Sequence, residues 1–167
     1  MKSSSPRRRN WPTRPRETVP DDALLARTEL DSVLSRMGEL ADLVAESVRP
    51  LFLRYSEGPA SDRGSSVDTE SGLDLPGLSV NPLQPESWWT RPIEDWLARQ
   101  ICQYQQLQDH NPGRFAWVLT GREVGRGPDC EPLLRSVIPV ARLDDELIDE
   151  ASRRYADRFD AKQGPED

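Results

Sequence analysis

Twelve residues in the C-terminal half, Gly121-Arg122-Glu123-Val124-Gly125-Arg126-Gly127-Pro128-Asp129-Cys130-Glu131-Pro132, combine three glycines, two arginines and three acids. Gly125 and Gly127 permit positive φ, where successive N–H groups converge on an anion. Arg122 and Arg126 can add bidentate contacts to a phosphate or carboxylate. The run has neither the P-loop nor the dinucleotide glycine pattern. Asp129 and Glu131, two apart on an extended segment, point to one side. Like-charge crowding there can fit one of them for general acid or base chemistry, so these two are the candidate catalytic residues. The same composition also suits a fixed surface turn, with Arg126 paired to Asp129 or Glu131.

Aromatic residues form the second group. Trp96 and Trp117 read as core. Trp88 and Trp89 are adjacent before a helix, so they cannot both face inward. One of them can stack a planar ligand or anchor a partner. Arg54 alternates with Phe52 on one face of a short apolar run, an unusual place for a cation. His110, the single histidine, stands beside Asn111-Pro112-Gly113 and reads as a turn residue. With Cys102 and Cys130 it makes no metal-ligand spacing, so no metal site is expected and no cofactor is identified.

Those residues need elements to position them. The 167-residue length predicts one domain, and 35% hydrophobic with 31% charged residues implies that part of the chain lies outside the core. The composition predicts a basic arm over 1–22, left disordered, with an oddly placed Trp11. An α+β domain is expected over 28–160 and a polar tail over 161–167. Apolar spacing predicts a helix over 28–48, capped by Thr28 with Asp31 and stopped by Pro50. Strands are expected at 51–55 and 77–80, separated by a long loop over 57–75 that is either mobile or functional. A helix over 92–108 starts with Thr90 as its cap and Pro92 in its first turn. Strands follow at 115–120 and 135–141, with Pro139 marking an edge, and then a helix over 143–159. The fold class is therefore α+β, with a small, mostly antiparallel sheet and about three helices.

The net charge of −7 is uneven: residues 1–16 carry six cations and no acid, leaving −13 for the rest. An acidic body repels a phosphate backbone, so contact with nucleic acid is confined to residues 2–16. No apolar run reaches the ~18 residues of a membrane span, and the N-terminus has no signal-peptide pattern. The expected location is cytoplasmic, with no membrane association.

Several motifs occur together: Leu51-Phe52-Leu53-Arg54-Tyr55-Ser56-Glu57-Gly58-Pro59, Leu75-Pro76-Gly77-Leu78-Ser79-Val80-Asn81-Pro82-Leu83, Trp88-Trp89, and Gly125-Arg126-Gly127-Pro128-Asp129-Cys130-Glu131-Pro132-Leu133. In these the chain resembles an actinobacterial family of unknown function over roughly residues 30 to 157. The resemblance implies a bacterial cytoplasmic origin and no activity. A weaker similarity, of residue order only, is to arginine-directed ADP-ribosyltransferases, through Arg54, Ser79 and Asp129-x-Glu131. It implies Arg54 on the NAD phosphates and Ser79 orienting a carboxylate. Glu131 would stabilise an oxocarbenium-like transition state, with Asp129 activating the acceptor. Leu78-Ser79-Val80 stands where those enzymes have Ser-Thr-Ser, and Asp129 replaces a glutamate.

The resulting expectation is a site for a small polar or phosphorylated ligand, with NAD or nucleotide chemistry as its enzymatic form. Its members would be Arg54, Ser79, Arg122, Gly125, Arg126, Gly127, Asp129 and Glu131, with Trp88 or Trp89. The alternative is a non-catalytic protein-interaction module built from the 57–75 loop and Trp88-Trp89.

Overall fold

A computed structural model describes residues 30–62, 66–68 and 70–159. The basic arm, Trp11, the Thr28 cap and the 161–167 tail lie outside the described residues. The chain runs β1 (Val33–Leu34), α1 (Met37–Glu46), β2 (Phe52–Ser56), β3 (Leu78–Ser79), β4 (Asn81–Pro82) and α2 (Ile93–Tyr104). It continues with a short α3 (Gln106–His110), then β5 (Phe115–Arg126), β6 (Pro132–Leu143) and α4 (Asp145–Phe159). This is an α+β fold around a six-stranded sheet in the order β1-β6-β5-β2-β4, with β3 also on β6. Among the described residues, only β1 runs parallel to its neighbour, β6.

Residues 78–82 give the sheet its curl. Leu78 and Ser79 pair with Leu134 and Leu133 of β6, and Asn81 and Pro82 pair with Leu53 and Phe52 of β2. One short segment thus joins the two sides of the β2-β5-β6 ribbon. Strand alternation sorts the core in two. Leu51, Leu53, Tyr55, Ala116 and Val118 face α1, α2 and α4, while Phe52, Leu78, Val80, Trp117, Leu119, Leu134 and Val137 cluster on the opposite face.

The first helix is shorter than its apolar spacing predicts. Val33 and Leu34 pair with Arg142 and Leu143 instead. The Glu39 carboxylate accepts the N–H groups of Ser35 at 2.9 Å and Arg36 at 3.2 Å, which starts the helix at Met37. It ends at Glu46, before Pro50. Thr90 does not cap α2: Pro92 holds the N-cap position without a side-chain bond. The strand expected at 115–120 continues to Arg126, so much of the glycine-arginine run is strand rather than loop. Pro139 pairs with Leu119 where the register shifts, so a bulge in the β5-β6 ladder takes it up. The 57–75 loop also has local structure: its described part folds back through the Val67 and Asp74 bridge and through Ser66, whose N–H donates to the Gly77 carbonyl.

Candidate functional site

Arg54 leaves β2 on the face away from the helices and is half-buried. Its Nε donates to Asp62 Oδ2 at 2.7 Å, and a second guanidinium nitrogen donates to Asp62 Oδ1 at 2.9 Å. A third donates to the Ser79 carbonyl at 2.7 Å. Asp62 also accepts the Ser56 hydroxyl at 2.5 Å, and Ser56 Oγ accepts the buried Trp117 Nε1–H at 2.9 Å. A bidentate pair at this depth fixes both partners. It clamps the start of the 57–75 loop onto the sheet, and it leaves Arg54 few donors for a ligand.

Glu131 is set by the hairpin between β5 and β6. Cys130 N–H donates to the Gly127 carbonyl at 3.0 Å, with Pro128 and Asp129 in the central turn positions and Cys130 at φ 62°. That is a turn with a left-handed closing residue, a common three-residue hairpin link. The turn folds the Glu131 side chain back over Gly127. A Cβ on Gly127 would lie 2.6 Å from Glu131 Oε2 and closer still to Oε1, so any side chain there would displace the carboxylate. The carboxylate accepts the Asp129 N–H at 2.9 Å and the Ser79 hydroxyl at 3.1 Å.

The two groups meet through Ser79, whose carbonyl holds Arg54 and whose hydroxyl holds Glu131. They line a cavity of about 150 Å³ with Tyr55, Asn81, Tyr104, Leu107 and Asp129. Tyr104 lines this cavity with the two carboxylates, and burial, then Asp129 and then Glu131, raise its hydroxyl above its usual pKa. Tyr55 is raised as well, mainly by burial, and its hydroxyl donates to the Ile101 carbonyl at 3.0 Å. A larger cavity of about 580 Å³ shares Arg54, Tyr55, Ser79 and Leu107 with the first. It adds Glu57, Ser61, Ser66, Asn111 and Arg114. The two therefore adjoin at those four shared residues and together make up the cleft.

Of the residues singled out in the sequence, the fold gathers Arg54, Ser79, Asp129 and Glu131 around this cleft, with Gly127 beneath Glu131. It leaves the others outside both cavities. Arg126 pairs with Glu123 at 2.9 Å and donates to the Cys130 carbonyl at 3.0 Å, which braces the hairpin. It is not paired to Asp129 or Glu131, because the turn aims those side chains elsewhere. Arg122 is exposed on β5 opposite Arg135, and Gly125 faces open space. Trp88 and Trp89 stack edge-on with Trp96, and Trp89 lies 6.5 Å from Phe159. Neither lines the cleft.

Tyr104, Asn81, Asp62 and Arg114 escaped the sequence reading. One signal was available, because Ser79 and Asn81 are two apart in an extended segment and must share a face. Tyr104 stands at helical spacing from the buried Leu97 and Ile101, which is the pattern of a core residue. Nothing local ties Asp62 or Arg114 to Arg54.

Neither a curated protein nor a solved structure matches this sequence. A family model, described as a family of unknown function (DUF6098), matches residues 27–165. That match spans every element of the cleft, and the chain belongs to this family.

Proposed function

We propose that the cleft binds a small polar ligand and that Glu131 is its central recognition group. The observation that carries this reading is the Glu131 carboxylate held by the Ser79 hydroxyl and the Asp129 N–H at the wall of a cavity. A carboxylate fixed by two donors still offers lone pairs to ligand hydroxyls. The charge balance favours a hydroxylated or cationic group there, since Asp62 already neutralises Arg54. Arg54 then acts as a positioning residue for Ser79. In an enzymatic form, Glu131 would stabilise positive charge developing at a ribosyl carbon, an electrostatic role for a preorganised carboxylate.

The test is a thermal-shift and calorimetric panel of ribose, ADP-ribose, NAD and simple cations. A ligand at 100 times its Kd adds about 2.7 kcal/mol, a shift of several degrees. Glu131→Gln is expected to abolish the shift, and Arg36→Ala, at the start of α1, is expected to keep it. Equal shifts in both variants refute the assignment.

A second reading rests on Trp88, which is 63% exposed beside two other tryptophans. Exposed tryptophan clusters anchor protein partners. This reading fails if Trp88→Ser captures every partner that the wild type does.

A further inference from the structure

Hydroxyl recognition at Glu131 leaves one cation of the cleft unused. Arg114 is half-buried in the wall of the larger cavity, and its guanidinium makes no hydrogen bond or ion pair with any described residue. The other cation of that wall, Arg54, is balanced by Asp62. Glu57 also lines the cavity, but it is exposed and packs toward Gly113, 3.2 Å from where a Cβ would stand. A guanidinium that no carboxylate of the described residues approaches within ion-pair distance, in a concave and partly desolvated wall, suits a phosphate.

The neighbours offer donors. Asn111 Oδ1 accepts the Gly113 N–H at 3.1 Å, which leaves the amide NH2 to donate. Ser66 Oγ accepts the Ser79 N–H at 2.9 Å and an Arg54 nitrogen at 3.5 Å, so its own proton is free to donate. At the other end of the cleft stand Asp129 and Glu131. The larger cavity pairs Arg54 and Arg114 with Asp62 and Glu57, while the smaller sets only Arg54 against Asp129 and Glu131, so the acidic excess lies at the Glu131 end and Arg114 at the other.

We propose that the larger cavity is an anion subsite with Arg114 as its receptor, and that it takes the phosphate of a phosphorylated sugar or nucleotide. The orientation follows from the polarity: the phosphate sits against Arg114 and the sugar hydroxyls lie toward Glu131. This rests on the reading of the cleft as a ligand site, and it deepens that reading by naming the ligand class.

The experiment is calorimetry at low salt on the full chain, with inorganic pyrophosphate, ribose and ribose 5-phosphate as separate probes. Wild type, Arg114→Gln, Arg114→Lys and Glu131→Gln are compared, and circular dichroism establishes that each is folded. Pyrophosphate is expected to bind wild type, to weaken at least tenfold in Arg114→Gln and less in Arg114→Lys, and to hold or tighten in Glu131→Gln. Ribose 5-phosphate is expected to bind at least tenfold tighter than ribose, an advantage that vanishes in Arg114→Gln. No pyrophosphate binding, or equal binding in Arg114→Gln, overturns the subsite even if ribose still binds through Glu131. Arg114-dependent pyrophosphate binding with no ribose binding upholds the subsite and refutes the role given to Glu131.

Discussion

Replacing Gly127 with alanine is expected to move one carboxylate and little else. The new methyl would stand 2.6 Å from Glu131 Oε2 and closer to Oε1. Ordinary contact needs about 3.5 Å, so the carboxylate must retreat by about 1 Å or more. Its bonds to Asp129 N–H at 2.9 Å and Ser79 Oγ at 3.1 Å then pass beyond hydrogen-bond range. Each such bond contributes about 1 kcal/mol net, and the freed carboxylate is rehydrated. Gly127 is not among the positive-φ residues, so alanine meets no backbone strain and returns about 0.5 kcal/mol through the unfolded chain. The expected net loss is about 1 kcal/mol, a fall in Tm of about 3 °C. The sharper readout is local. The Asp129 amide in proton–nitrogen spectra should move upfield and exchange about tenfold faster with solvent. Gly125→Ala is the control, because nothing lies within 4 Å of its added methyl. An unchanged Asp129 amide in Gly127→Ala, or the same change in Gly125→Ala, refutes the reasoning.

Tyr104 gives a second test, by pH. Its folded pKa is raised, first by burial and then by Asp129 and Glu131. The folded state therefore holds the proton more tightly, so the contribution to stability is complete below pH 10 and is lost as pH climbs through the folded value. Glu131→Gln should bring the Tyr104 titration part of the way back toward its usual value, as followed by ultraviolet difference absorbance; no movement refutes the electrostatic link between them. Asp95 is nearly fully buried in the first turn of α2, 2.7 Å from Arg154 and 3.2 Å from Arg91. Arg154→Ala should cost about 2 kcal/mol in urea unfolding, less than a fully orphaned buried charge because Arg91 remains; a loss below about 0.5 kcal/mol would show the pair to be solvated. Asp144 has its pKa lowered, chiefly by the Ser35 hydroxyl at 2.5 Å. Its contribution is present above the unfolded carboxyl pKa and lost as pH falls through the lowered one, so Ser35→Ala should make the protein less resistant to acid. Ser136 sits at φ 51° on a β-bulge, and Ser136→Gly should be neutral or stabilising by about 0.5 kcal/mol, measured by denaturation midpoint.

The α+β class, α2, α4 and the strands β2, β5 and β6 were legible in the sequence, because period and propensity are local properties. Where those elements end was not. Val33 and Leu34 fit a helical stripe as well as a strand, and only pairing with Arg142 and Leu143 turns them into β1. The glycine-arginine run reads as a loop until β6 is beside it, when backbone pairing extends β5 to Arg126. The site divides in the same way. Residue types and their order in the chain were enough to single out Arg54, Ser79, Asp129 and Glu131. Their meeting depends on residues 78–82 bridging β6 and β2, a long-range closure with no local signal. The same closure decides which charges are already satisfied. Arg54 is an open cation in the sequence and half of an ion pair with Asp62 in the fold. Arg126 has three acids within five residues along the chain, and the turn gives it Glu123. Arg114 has no such signature, and its place in the cleft wall exists only once β5 lies against β2. Charge along a sequence names the groups available, and tertiary contact determines which of them remain free to bind.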